Sequence, residues 1–201
     1  DPIKKISEAI KKCNFLPLPI NILEHYKKIF KFSNILSKDL ITTDLLLILP
    51  KIISSKLLYK VSHLGPSAEL FHKLCDNIEN TISFVKTGGH RRFGGFTTQT
   101  WNQVSSYTKT DKNAFVFSLD KLKIYPYTNN GRAIRCDNRY HPTFGVGACD
   151  FRLCENPLTE KTLYTDQKSG DRSYNYNGDI NALSEDGSGN CISTLEIEVY
   201  Q

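Results

Sequence analysis

The chain has 201 residues, 39% of them hydrophobic and 23% charged, and a formal net charge of +5 at pH 7. That is the make-up of a soluble globular unit, one domain or one domain with an extension, large enough to bury roughly 70% of its unfolded surface without staples. No apolar run approaches the ~20 residues of a membrane span; Leu45 to Leu49 ends at Pro50.

The charge is concentrated. Lys4, Lys5, Lys11, Lys12, Lys27, Lys28 and Lys31 stand against Asp1, Glu8 and Glu24, so residues 1–31 carry +4. The remainder is close to neutral, which argues against nucleic-acid binding by the main domain, since that needs a basic stripe on the folded surface. The six cysteines come with no secretory signal and no Asn-X-Ser/Thr sequon, and they read as reduced, mostly buried thiols. Cys149 and Cys154 come nearest to a zinc spacing but lack a second pair. No metal and no cofactor is expected. The chain contains no methionine and reads as a piece of a longer protein, its C-terminal part.

In chain order, Asp1-Pro2 suits a helix start. Ile3, Ile6, Ala9 and Ile10 form a narrow apolar stripe opposite lysines. A helix this short is marginal alone. Packing on the domain, or the end of a coiled coil, is the plain reading; the sharper one makes Lys11 and Lys12 contacts to a partner or an anionic surface. Pro17 and Pro19 mark a linker. Ile22, Leu23, Tyr26, Ile29 and Phe30 return to helical spacing, and Ser37 is placed to cap a helix over 38–49. The division that follows is a basic helical extension over 1–31 and a main domain over 32–201.

Leu57 to Val61 reads as a strand, Gly65-Pro66 breaks it, and Ala68, Leu70, Phe71, Leu74 and Cys75 recur at helical spacing. From 81 the period changes to two. Strands are expected near 81–87, 91–98, 114–119, 122–126, 132–136, 150–154 and 193–200, with Asp120-Lys121 as a tight hairpin turn. In the last strand Leu195, Ile197 and Val199 face one way and Glu196 and Glu198 the other. Residues 155–192 turn polar, as functional or mobile loops do. Helices first and antiparallel strands after define an α+β fold, a β-sandwich of two antiparallel sheets flanked by helices.

Few positions carry chemistry. His72 and Cys75 share a helix face and could pair as imidazole and thiolate, a hydrolase or redox arrangement; a cysteine beside Phe71 and Leu74 is more ordinarily inert core. Glu69 gains from the helix dipole and is a candidate structural or partner-contacting carboxylate. Asp76 suits a turn hydrogen bond or a salt bridge. Arg91 and Arg92, with His90, form the basic cluster of the main domain, at a hairpin tip suited to an acidic partner. Asp150 has Arg135 and Arg152 as candidate ion-pair partners. Gly94 and Gly95 inside a strand imply a bulge or close packing, Gly145 a loop with unusual dihedrals, and Trp101 a core position.

Several of these segments resemble the TLDc domain, the domain of the oxidation resistance proteins. Leu57-Leu58-Tyr59-Lys60 with Ser67 to Asn77 is similar to its opening signature. Phe93-Gly94-Gly95-Phe96-Thr97 with Trp101, Ala114 to Leu119, Pro142-Thr143-Phe144-Gly145 and Leu195 to Tyr200 resemble its later segments in order, so the likeness covers about residues 33–201. The likeness implies the same sandwich, no established reaction, a role in oxidative-stress protection and, as protein partner, subunits of the vacuolar-type proton ATPase. A variant makes the protein a structural component of a large cytoskeletal or ciliary assembly, tethered by the basic N-terminal helix. The expected location is the cytoplasm, at the vacuole's periphery or on the cytoskeleton. Two departures stand out. Val146-Gly147-Ala148-Cys149-Asp150 lacks the histidine of the family's Gly-Gly-His and acid. Ser173 to Asp179 lacks that of a Gly-His-Ser-Tyr-like motif, so acid–base roles for those histidines do not carry over.

Overall fold

A computed structural model describes residues 20–37, 41, 43–49, 51–104, 107–145, 150–154, 163–164, 172–179, 181–183 and 193–201. Two antiparallel sheets face each other, and helices cover the outer side of the first.

Helix α1 (Ile20–Ile29) places Tyr26 inward, with Phe30 directly after it, and ends on Lys27 and Lys28, which suit its C-terminal dipole. Helix α2 (Thr43–Ile48) is shorter than the expected 38–49, since Ile41 is not helical; Leu45 and Ile48 are buried. Strand β1 (Leu57–Lys60) stops one residue before the expected Val61, which opens a one-turn helix α3 (Val61–Leu64). Gly65, at φ +85°, ends that turn. Helix α4 (Ala68–Cys75) is capped by Ser67, whose Oγ accepts the Leu70 N–H at 3.2 Å.

The strands follow as β2 (Thr81–Thr87), β3 (Arg92–Thr97), β4 (Tyr107–Lys109), β5 (Phe115–Ser118), β6 (Lys123–Pro126), β7 (Ile134–Cys136), β8 (Thr143–Phe144), β9 (Phe151–Leu153), β10 (Leu163–Tyr164) and β11 (Thr194–Tyr200). The first sheet runs β1-β11-β2-β3-β5-β6 and the second β10-β9-β8-β7-β4. The turn between β5 and β6 is longer than two residues. It spans Leu119 to Leu122, with Leu122 at φ 51°.

The inter-sheet core holds Val85, Phe93, Val116, Ile134, Phe144, Phe151, Ile197 and Val199, with Phe71 and Cys75 of α4. A second core lies on the other face of the first sheet, where Ile82, Phe84, Phe117 and Tyr200 meet Tyr26, Phe30, Leu45 and Ile48. The middle of the first sheet is therefore buried on both faces, and β2 has no solvent side to alternate with, whereas edge strand β6 is mostly exposed. Glu196 and Glu198 do face away from the inter-sheet core, yet both are buried. Leu195 leaves the expected apolar row and is 46% exposed, because the β11–β2 register shifts between Thr194 and Glu196.

Candidate functional site

Helix α4 does not assemble a nucleophile. Cys75 is fully buried, and burial, with the negative Asp76 next to it, pushes its thiol well above the ordinary range. Both nitrogens of His72 are engaged elsewhere. Nδ1 lies 2.8 Å from Asp76 Oδ1, and Nε2 faces the carbonyls of Asp137 and Tyr140 at 3.0 and 3.2 Å. The expected partner of Asp76 is thus found one helical turn back. A second buried histidine, His141, was not singled out by spacing. Its Nδ1 donates to the Cys154 carbonyl at 2.8 Å and its Nε2 meets the Tyr59 hydroxyl at 3.0 Å. Burial holds it neutral, down at about 4. The only sequence signal for it is its place directly before Pro142-Thr143-Phe144-Gly145.

Gly95 and the Phe144 loop turn out to be one contact, while Gly94 faces the Ser83 carbonyl and Phe117. A Cβ at Gly94 would stand 2.0 Å from the Ser83 carbonyl oxygen, and one at Gly95 would stand 2.6 Å from the Phe144 ring. The β2–β3–β5 register is unbroken there, so close packing and not a bulge explains the glycines. Phe144 stacks on Phe151 and meets Trp101 edge-on, and Trp101 meets Phe71 in the same way. Trp101 is core, with its indole N–H donating to Thr81 Oγ1 at 2.9 Å. Gly145 has φ +82°, and its missing side chain leaves room for the Asp150 carboxylate, whose Oδ2 would lie 2.0 Å from a Cβ there.

Asp150 does not pair with Arg135. Its Oδ2 accepts the Ser173 amide at 3.2 Å, and burial raises its carboxyl to about 7 despite that bond. Arg135 instead donates to Asp137 Oδ2 at 3.0 Å. Asp137 also binds Arg139 through Nε and Nη2, each at 2.9 Å, and these bonds hold its carboxyl down at about 2. Tyr140 lies among three guanidinium groups, with Arg135, Arg139 and Arg152 at 5.9, 5.3 and 4.8 Å from the ring centroid. This is a second basic cluster of the domain. The linear sequence hides it, because its members come from β7, a loop and β9.

Of the other expected contact residues, Glu69 is exposed on α4 and Arg91 is half-buried. Arg92 is held by Asp120, with Nε donating at 2.9 Å and Nη2 at 2.6 Å, which ties β3 to the β5–β6 turn. Lys11 and Lys12 lie outside the described residues. Sequence reasoning also missed a buried polar network on β11. Glu198 pairs with Lys60 at 3.3 Å and accepts from the Ser33 hydroxyl at 2.5 Å and the Asn34 amide at 2.6 Å. Glu196 accepts from Asn34 Nδ2 and the Ser62 amide. Through these bonds, the segment after α1 is fastened to the sheet.

Among the described residues no set of His, Cys, Asp and Glu is arranged to hold a metal ion, and no helix is long and apolar enough to cross a membrane. A hollow beside Lys51 to Ile53 is walled mainly by Ile22, Leu46, Leu49 and Ile52.

In this two-sheet sandwich both His72 and Cys75 are engaged within the fold. The chain belongs to the TLDc domain family, whose model matches residues 29–201. No curated protein matches it.

Proposed function

We propose that the domain is a non-enzymatic protein-interaction module. The observation that supports this most is the employment of His72 and Cys75 within the fold: the thiol has no solvent access, and both ring nitrogens already have partners. A nucleophile–base pair needs the reverse, an accessible low-pKa thiol beside an available base. The TLDc likeness supplies the partner class, subunits of the vacuolar-type proton ATPase, whose assembly the domain regulates, with protection from oxidative stress as the outcome. A place in the cytoplasm, at the vacuole's outer face, goes with that reading. Glu69 and Arg91 are its proposed contacts on the described surface.

The test is co-sedimentation of the full chain with detergent-solubilised vacuolar ATPase, with the ATP hydrolysis rate read in parallel. Binding with a changed rate or a changed assembled fraction supports the proposal. Neither binding nor a rate change refutes the ATPase assignment. The charge of residues 1–31 favours one variant, in which Lys11 and Lys12 tether the domain to a cytoskeletal or ciliary assembly. Its test is deletion of residues 1–19, which spares Tyr26 and Phe30 of the core. Retention on the assembly after that deletion would remove the tether from consideration.

A further inference from the structure

Arg135 leaves β7 between Ile134 and Cys136, and Arg152 leaves β9 between Phe151 and Leu153. All four neighbours are buried in the inter-sheet core. By the alternation of strand side chains, both arginines project from the outer face of the second sheet. Strand β8 lies between their strands and puts Thr143 opposite Arg152. The loop after β7 brings Tyr140 over this face, and Arg139 closes the group. The buried Asp137 carboxylate is shared by Arg135 and Arg139, and Arg152 lies against the same Tyr140 ring.

Several other cations of the described surface are paired with acids. Arg92 is held by Asp120, and Lys121 and Lys123 share Asp179. Arg139 differs. It spends one edge of its fork on Asp137, yet its side chain remains 63% exposed. The posture of its loop is fixed from behind, since His72 Nε2 faces the Asp137 and Tyr140 carbonyls. A rigid aromatic platform ringed by guanidinium groups is pre-organised for carboxylates, which match the planar fork. Its compactness, all within 5.9 Å of one ring, suits two or three acidic side chains of one short segment. A nucleic acid wants an extended stripe.

We propose that the Arg135–Arg139–Tyr140–Arg152 surface docks an acidic, Asp/Glu-rich segment of a protein partner. This rests on the interaction-module reading and names the chemistry of one contact.

The experiment uses the full chain and a fluorescein-labelled peptide of eight glutamates, with a glycine–serine peptide and inorganic phosphate as comparators. The expected result is saturable binding of the glutamate peptide that weakens with salt, with the backbone amide resonances of Asn138, Arg139 and Tyr140 moving in the wild-type nitrogen–proton spectrum. Arg139→Gln, which leaves Asp137 its bond from Arg135, weakens binding about tenfold, and Arg139→Lys weakens it less. The proposal is overturned by no binding, by equal affinity for Arg139→Gln, or by shifts confined to residues 27–31 or 90–92. Displacement by phosphate at concentrations equal to the peptide's also overturns it, since the surface is then a general anion site. The two readings separate on the ATPase. If Arg139→Gln binds it as the wild type does, the docking surface is wrong and the interaction module stands. If the wild type binds the peptide at this loop but no ATPase, the surface stands and the ATPase assignment falls.

Discussion

Replacing Asp150 with Asn separates two buried groups whose pH dependences oppose each other. The Asp150 carboxyl moves from 3.8 to about 7 on folding, chiefly by burial. Between those values the unfolded chain gives up the proton and the folded chain keeps it. Its contribution is therefore fully present below pH 3.8 and lost as pH rises through 7. At about 1.4 kcal/mol per unit, the loss is on the order of 4 kcal/mol. His141 moves the other way, from 6.5 down to about 4. Its contribution is present above 6.5 and lost as pH falls through 4, on the order of 3 kcal/mol. In the wild type the two slopes nearly cancel, so these groups leave stability almost flat from pH 4 to 7. Asp150→Asn keeps a carbonyl for the Ser173 amide and has no proton to lose. The variant should match the wild type near pH 4, exceed it by about 4 kcal/mol at pH 8 and show the rising His141 slope between. Urea unfolding at pH 4, 5.5, 7 and 8, followed by the fluorescence of the single, buried Trp101, measures this. Equal stability of the two proteins at pH 8 would refute the claim that the fold holds this carboxyl neutral.

The packing claims give further tests. Gly95→Ala brings a methyl against the Phe144 ring and should cost about 3 kcal/mol in urea unfolding; combined with Phe144→Leu it should cost less than the sum, and strict additivity would mean the two do not touch. Glu198→Ala strands Lys60 in the interior and should cost about 4 kcal/mol, with faster proteolysis around residues 30–36; an unchanged unfolding midpoint counts against the network. Cys75 in the native protein should react with iodoacetamide at pH 7.5 about a hundredfold more slowly than in urea, read by peptide mass mapping. Equal rates would restore the thiol as a candidate nucleophile.

The main strands were legible because a half-buried strand writes its pattern into alternate residues, as Ile197 and Val199 do against Glu196 and Glu198. Alternation says which side a residue takes, not whether that side is covered. Nothing local to Glu198 reveals that Ser33 and Asn34 come over it from about 165 positions away. Strands β8 and β10 have two residues each, and β4 buries none of its three, so no period declares itself there. The motifs were visible singly, and their contact was not: Gly95 and Phe144 are paired by sheet-on-sheet packing, which sequence distance does not encode. The same holds for the arginine group. Arg135 and Arg152 were considered as partners for Asp150 alone, since β8, which sets their spacing, could not be seen.

The residues that identify this family form a connected interior. Gly95 admits Phe144, Phe144 meets Trp101, Trp101 meets Phe71, and Phe71 abuts His72. Each link is a packing requirement of the sandwich, and a change at any of them is felt as a cavity or a clash. Such positions specify the fold whatever the partner. Arg139 answers to different physics. It holds the buried Asp137 through Nε and Nη2, yet its side chain stays 63% exposed, so it can meet a partner from the solvent side. His72 is the hinge between the two sets. Its ring belongs to the signature helix, yet its Nε2 holds the carbonyls of the loop that carries Arg139 and Tyr140. The helix that carries the resemblance thus sets the geometry of the loop that presents the proposed docking surface.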